Sequence, residues 1–267
     1  MASSAATITP EVLRRPNLLI ICAKEAKYEF LKNLRFPMFS VSTLVFPLMF
    51  YVLFGLVMGR QTIGSISTTV YLIPAYGTFG VMGASLFGTA AGLSSERGLG
   101  WLQVKRASPM PLFAYFSAKV LMAITFSTID VVALMLMGFV FGGVHLTGMT
   151  AVKLLFTLVA GSIPFCAMGL AIGYFASPNS APAVINLFYL PMSFCSGLWM
   201  PFMFLPKFVQ KIAVFLPPYH LSQLALNLVG GGRGEPASGH WETLAGFTLL
   251  CLGAALMGHQ RDQKANG

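Results

Sequence analysis

Few side chains in this sequence have types and spacing that could do chemistry. Only eight of its 267 residues are Asp or Glu. Asp130 is the one carboxylate well inside an apolar run. Left uncompensated there it would cost several kcal/mol, so it must face a partner, a cavity or water. Thr125, Ser127 and Thr128 lie close by as local hydroxyls. Two readings stay open: a contact for a substrate or a proton, and a polar clasp between helices. The second candidate is the charged break Glu96-Arg97-Gly98-Leu99, followed by Trp101, Leu102, Val104, Lys105 and Arg106. Leu99, Trp101, Leu102 and Val104 give this loop a docking face, and Lys105 and Arg106 hold it against phosphates.

Other chemistries find little support. His145, His220, His240 and His259 are scattered and show no metal-ligand spacing, so no metal is expected. Ser94 and Ser95 have no histidine near them in sequence and sit in no nucleophile elbow. Cys22, Cys166, Cys195 and Cys251 are far apart and form no C-x-x-C pair, so they read as small buried hydrophobes. The P-loop pattern G-x-x-x-x-G-K-[ST] does not occur, and no sizeable soluble segment offers room for an ATPase.

The elements that hold these residues follow from composition. Hydrophobic residues make up 56% and charged residues 9%, where a soluble domain carries roughly a quarter charged. The bilayer is therefore the natural solvent. The net charge of +9 is spread over residues flanking the apolar runs, which favours an anionic lipid surface over nucleic acid.

Residues 1–16 read as disordered, with no cleaved targeting segment, and residues 17–36 as an amphipathic helix lying in the membrane interface. Leu19, Ala23, Ala26, Phe30 and Leu34 recur at helical spacing, with Lys24, Lys27, Lys32 and Arg35 largely elsewhere around the helix. Six spans are expected at about 39–59, 70–92, 113–141, 154–175, 183–198 and 241–258, making residues 17–258 one all-α membrane domain. A tail, 259–267, follows. Lys and Arg are richer on the side of the N-terminal segment, the Glu96 loop and the tail, which places both termini and that loop in the cytoplasm.

Between the last two spans the chain is apolar but interrupted by Pro201, Pro206, Pro217 and Pro218. No single spanning helix passes through that spacing, whereas two short helices dipping into the outer leaflet do. The expectation is a re-entrant cap over the outer mouth of a pathway. Gly80, Ala84, Gly88 and Gly92 make a small-residue stripe on the second span, suited to close helix packing. Pro47, Pro164 and Pro191 lie inside spans and read as kinks or hinges. Trp101, Trp199 and Trp241 lie near expected membrane edges, as an aromatic belt does.

With these pieces in order, the chain resembles the permease subunits of the ABC-2 type transporter family. The resemblance runs from about Lys24 to the tail. Glu96-Arg97-Gly98 and then Lys105-Arg106-Ala107-Ser108-Pro109-Met110-Pro111 are similar to the start and exit of the family's first cytoplasmic loop. Ser196-Gly197-Leu198-Trp199-Met200-Pro201, Leu205-Pro206 and Leu216-Pro217-Pro218-Tyr219-His220 resemble the segments after its fifth span. Trp101 is bulkier than the threonine often found in the family loop, and Pro217-Pro218 doubles a usually single proline.

The resemblance implies a permease for a drug, antibiotic, lipid or glycan exporter in a bacterial inner membrane. Two permeases, expected as a homodimer, would work with two copies of a separate ABC ATPase. ATP and Mg would sit on that partner, with no cofactor on this chain. Glu96 to Val104 would be the coupling helix seated on the ATPase, and the stripe at Gly80 to Gly92 part of the contact between permeases. The many Phe and Met along the inferred path favour an amphipathic substrate. Rival readings are an ion- or proton-coupled transporter using Asp130, a membrane enzyme acting on lipid headgroups, and a non-transporting assembly subunit. The enzyme would need clustered His, Asp or Glu at one interface, which the sequence lacks.

Overall fold

The computed structural model describes residues 18–57, 62–63, 66–107 and 112–266. The expected disordered segment 1–16, Ser108 to Pro111, and the side chains of Lys105 and Arg106 lie outside the described residues. The described chain is a bundle of helices with a two-residue β-ribbon, Thr62–Ile63 paired antiparallel with Ile66–Ser67.

The helices are α1 Leu18–Leu34, α2 Pro37–Phe50, α3 Thr68–Leu86, α4 Gly92–Gly98, α5 Trp101–Ala107 and α6 Leu112–Phe141. They continue with α7 Gly148–Ala160, α8 Ser162–Phe175, α9 Ala181–Cys195, α10 Lys207–Ala213, α11 Pro217–Leu228 and α12 Ala237–Asn266. Two π-wound stretches extend them: Tyr51–Val57 runs on from α2, and Phe87–Ala91 joins α3 to α4. The first begins four residues after Pro47, whose missing N–H cannot close its own helical bond.

Five helical runs are long and apolar enough to cross a membrane: Phe39–Val57, Thr68–Gly98, Phe113–Phe141, Gly148–Phe175 and Ala237–Lys264. The sixth expected span differs. Residues 183–198 hold only the 15-residue α9, which at the helical rise is about 22 Å, short of the ~30 Å hydrocarbon core. Gly197 takes a left-handed φ of 76° just past the helix end, so Leu198 and Trp199 belong to a turn.

The Thr68–Gly98 rod is the axis of the bundle. Nearly all of α3 is buried, and α2, α6, α7, α8, α9 and α11 pack around it. Ser67 caps it, its Oγ accepting from the Val70 N–H at 3.4 Å. Tyr71, Ile73, Tyr76, Met82 and Leu86 of this rod meet Val131, Leu134, Leu158 and Phe165 in the main core.

The expected small-residue stripe lies on this rod and packs inside one protomer. A Cβ at Gly80 would collide with the Asp130 carboxylate of α6, and one at Gly88 would meet the Met122 side chain at 2.8 Å. Ala84 is buried with Phe39, Met122 and Phe126. Gly92 lies under the Lys119 ammonium, 3.2 Å from where a Cβ would stand. The stripe is thus consumed by α6, because a 30-residue helix running alongside needs close backbone approach.

In α1, Lys32, expected among the residues facing lipid phosphates, instead pairs with Glu29 and Glu96. The buried residues of α1 are Glu29 and Asn33, turned toward α6, while Leu18, Leu19, Ile20, Tyr28 and Leu34 are exposed. The polar stripe faces inward because charged partners wait for it on α4 and α6. At the far end of the bundle, Pro201, Pro206 and Pro217 open short helices: Phe202–Phe204, α10 and α11. Each proline occupies a start position, where a missing N–H costs no helical bond. Pro217 and Pro218 are buried, as is most of α11, which packs against α3, α7 and α12.

Candidate functional site

Glu96 and Arg97 stand where α4 ends and the turn to α5 begins. Neither is a solvated loop residue. Glu96 is buried, and its two carboxylate oxygens are used separately. Oε1 accepts from Lys32 Nζ of α1 at 2.5 Å. Oε2 accepts from the Tyr115 hydroxyl of α6 at 2.5 Å and lies 3.2 Å from Lys119 Nζ.

Lys119 is 0% exposed and reaches a second carboxylate, Glu29 Oε2 of α1, at 3.5 Å, with its ammonium 4.9 Å from the Tyr115 ring centroid. Lys32 closes the circuit by donating to Glu29 Oε2 at 3.1 Å. Two acids and two lysines from three elements thus compensate one another, the condition under which charge can be buried. Burial works against the Lys32 ammonium, yet Glu29 and Glu96 outweigh it and hold its pKa above the ordinary 10.5.

Arg97 turns to the other side. Its Nε donates to Asp262 Oδ1 of α12 at 3.0 Å, and Nη1 donates to the Gly173 carbonyl of α8 at 2.8 Å. The guanidinium lies 5.7 Å over the Tyr174 ring, whose hydroxyl meets His259 Nδ1 at 3.0 Å. Gly98 follows against Pro178, where a Cβ would clash. The junction is therefore clamped twice, by Glu96 to α1 and α6 and by Arg97 to α8 and α12.

Beyond the clamps the turn is open. Leu99, Trp101 and Val104 are 74%, 57% and 62% exposed. Leu102, expected on the same docking face, is instead buried with Leu93, Tyr115, Leu170 and Tyr174. A short amphipathic helix has one inward side, and Leu102 takes it.

A groove of about 1280 Å³ opens beside this junction. Its Glu96 end is lined by Glu25, Glu29, Lys32 and Arg35 of the α1 region, and by Leu99 and Trp101. Its body is aromatic, with Phe39, Phe46, Phe50, Phe79, Phe87, Tyr189 and Trp199. Phe50 stacks toward Tyr76 at 6.1 Å and Trp199 at 5.5 Å. α2, the α3–α4 rod and α9 form the walls, giving a cleft charged at one end and apolar along its length.

Asp130 is buried at α6, and neither carboxylate oxygen has a hydrogen-bond partner among the described residues. The nearby hydroxyls do not serve it. Thr125 and Thr128 donate to Leu121 and Ile124 carbonyls of their own helix, and Ser127 Oγ is itself without a partner. The expected clasp between helices is therefore not made by hydrogen bonds.

Sequence reasoning missed the partners that these residues find. Lys119 lies within an expected span, and an intramembrane lysine is itself a signal. Glu29 and Lys32 are three residues apart on α1, the spacing of a helix ion pair. His220 and His240, twenty residues apart, meet at the far end with Nδ1 atoms 2.8 Å apart, while His220 Nε2 lies 2.8 Å from the Val214 carbonyl and His240 Nε2 lies 3.4 Å from Glu235. No cluster able to hold a metal occurs among the described residues.

A bundle of apolar rods around one axis, a clamped turn with an exposed apolar tip, and a lateral aromatic cleft define a multi-pass membrane protein of the transport class. A sequence profile described as ABC-2 type transporter matches residues 25–228, and the chain belongs to that family. It is 26% identical over 212 residues to a protein of Bacillus subtilis (strain 168) named "Putative transport permease YvfS", covering 79% of this chain and 86% of that one.

Proposed function

We propose that this chain is the permease subunit of an ATP-binding cassette exporter in a bacterial inner membrane. Two copies of the permease work with two copies of a separate ATPase, which carries ATP and Mg. Both termini and the Glu96 turn face the cytoplasm, while α10 and α11 cap the outer mouth. The observation that carries this reading is the exposed apolar tip Leu99, Trp101 and Val104, held between two buried clamps in a chain of this family.

The tip and the clamps divide the labour. Leu99, Trp101 and Val104 seat on the ATPase by burying apolar surface. Glu96 and Arg97 do not touch the partner; they carry its displacement into α1, α6, α8 and α12. Because packed helices rearrange as near-rigid units, a shift at α4 alters the groove between α2 and α9. The groove takes an amphipathic substrate, its apolar part held along the aromatic wall.

The test separates docking from coupling in the complex purified with its ATPase. Leu99→Ala with Trp101→Ala should reduce ATPase copurification at least tenfold. Glu96→Gln with Arg97→Gln should keep the ATPase bound and hydrolysing while transport per ATP falls. Full transport by both double variants, with the ATPase still bound, would overturn the reading.

A further inference from the structure

Asp130 is the strongest anomaly in the molecule. Its carboxylate is fully buried, both oxygens are without a hydrogen-bond partner among the described residues, and the Ser127 hydroxyl one turn earlier is in the same state. A carboxyl so placed is stable only if it is neutral or if a cation matches it. Among the described residues no lysine or arginine forms an ion pair with it, whereas Lys119 of the same helix is already shared by Glu29 and Glu96.

The position of Asp130 relative to the groove is fixed by α3. The carboxylate lies on Gly80, where a Cβ would collide with it. One turn along, the Tyr189 hydroxyl lies on Gly83, 2.9 Å from where a Cβ would stand. Tyr189 and Gly83 line the groove, whereas Asp130 and Gly80, on the neighbouring turn of α3, do not. The Tyr189 hydroxyl donates to the Phe79 carbonyl at 3.2 Å, its ring stacks on Phe79 at 4.8 Å, and it lies within electrostatic reach of Asp130.

We propose that Asp130 makes the groove a binding site for amphiphilic organic monocations, a substrate class that rests on the exporter reading above. The charge acts from just outside the groove lining, in apolar surroundings where a single negative charge is felt at longer range than in water. Phe79, Tyr189 and Trp199 offer ring faces that attract a cation directly, and their apolar area holds the rest of the molecule. The matching cation missing from the chain is thus supplied by the cargo, and anionic amphiphiles of the same shape are rejected.

Tetraphenylphosphonium and tetraphenylborate test this, being near-identical in shape and opposite in charge. Equilibrium binding of each is measured to the purified full-length permease in nanodiscs of neutral lipid, with empty nanodiscs subtracted. The wild-type chain should bind the phosphonium at least tenfold more tightly than the borate. Asp130→Asn should remove most of that preference by weakening the phosphonium alone, and Glu242→Gln, at an exposed position of α12 outside the groove lining, should retain it. Where the amide variant does not fold, Asp130→Leu replaces the carboxyl with an apolar group of similar volume and carries the same expectation. Equal binding of the two ions by the wild-type chain, or an undiminished preference in the Asp130 variant, would overturn the proposal. Because no ATPase is present in this measurement, that outcome leaves the coupling test of the exporter reading untouched.

Discussion

Lys119 shows how much one side chain can be asked to hold. Its ammonium has no exposed surface and serves Glu29 of α1 and Glu96 of α4 together. Removing it leaves two carboxylates facing each other across a buried space, with the half-exposed Lys32 between them. Breaking a buried pair in this way costs about 3–5 kcal/mol. Lys119→Met should lower the thermal midpoint of the purified permease well beyond the effect of Lys24→Met on the exposed side of α1. Equal shifts for the two variants would show that the network contributes nothing.

The same residue marks the limit of what could be read from the sequence. Glu96 and Arg97 stood out because charge breaks an apolar stretch, and their placement at a turn between two spans was legible. Their partners were not. Glu29, Asp262 and Lys119 are 67, 165 and 22 positions from the Glu96–Arg97 pair at the nearest, separations at which hydropathy carries no information. Leu102 was misread for a related reason: apolar character does not say which side of a seven-residue helix meets the core.

At the scale of elements, the apolar runs were visible because composition alone sets a helix that must cross lipid. The length of α9 was not. Its run of apolar residues continues through Leu198 and Trp199, yet the backbone has already turned at Gly197. Likewise α1 has a visible helical repeat, but the sequence could not show that Glu29 and Asn33 take the inward side.

The junction of α10, α11 and α12 was equally hidden, since His220 and His240 look unrelated until the helices cross. Burial pushes the His220 imidazole below its ordinary 6.5, against the opposing pull of the Val214 carbonyl and Glu235. The unfolded chain therefore binds more protons than the folded one once pH falls past about 6.5, and stability that is complete above that value drains as pH approaches the lowered folded value. The structural reason is plain: a second proton would set two N–H groups against each other at the 2.8 Å Nδ1–Nδ1 approach. The thermal midpoint should fall between pH 7 and pH 5, and His220→Gln should flatten that fall. An unchanged slope in the variant would assign the effect to other groups.

For the whole molecule, the open groove bears on the proposed assembly. One protomer leaves it open along α2 and α9, whose Val45, Phe46, Met49, Leu187, Leu190 and Phe194 are exposed. Charged groups at one end of an otherwise lipid-facing cleft favour a second protein surface over acyl chains. On the proposed homodimer, native mass spectrometry should give twice the 28.7 kDa chain mass, and Phe46→Arg with Leu190→Arg should return it to the single mass. A wild-type chain that stays single in mild detergent and in nanodiscs would refute this arrangement.

The ion network also has a consequence for biosynthesis. Glu29 and Glu96 precede Lys119 in the sequence, so the ribosome delivers both acids before the base they share. The lysine-bearing segment leaves the insertion machinery to find its anions already at hand, and it need never face acyl chains alone. Translation order thus spares this chain its worst intermediate, and a permuted gene that made the third apolar run first would forfeit that protection.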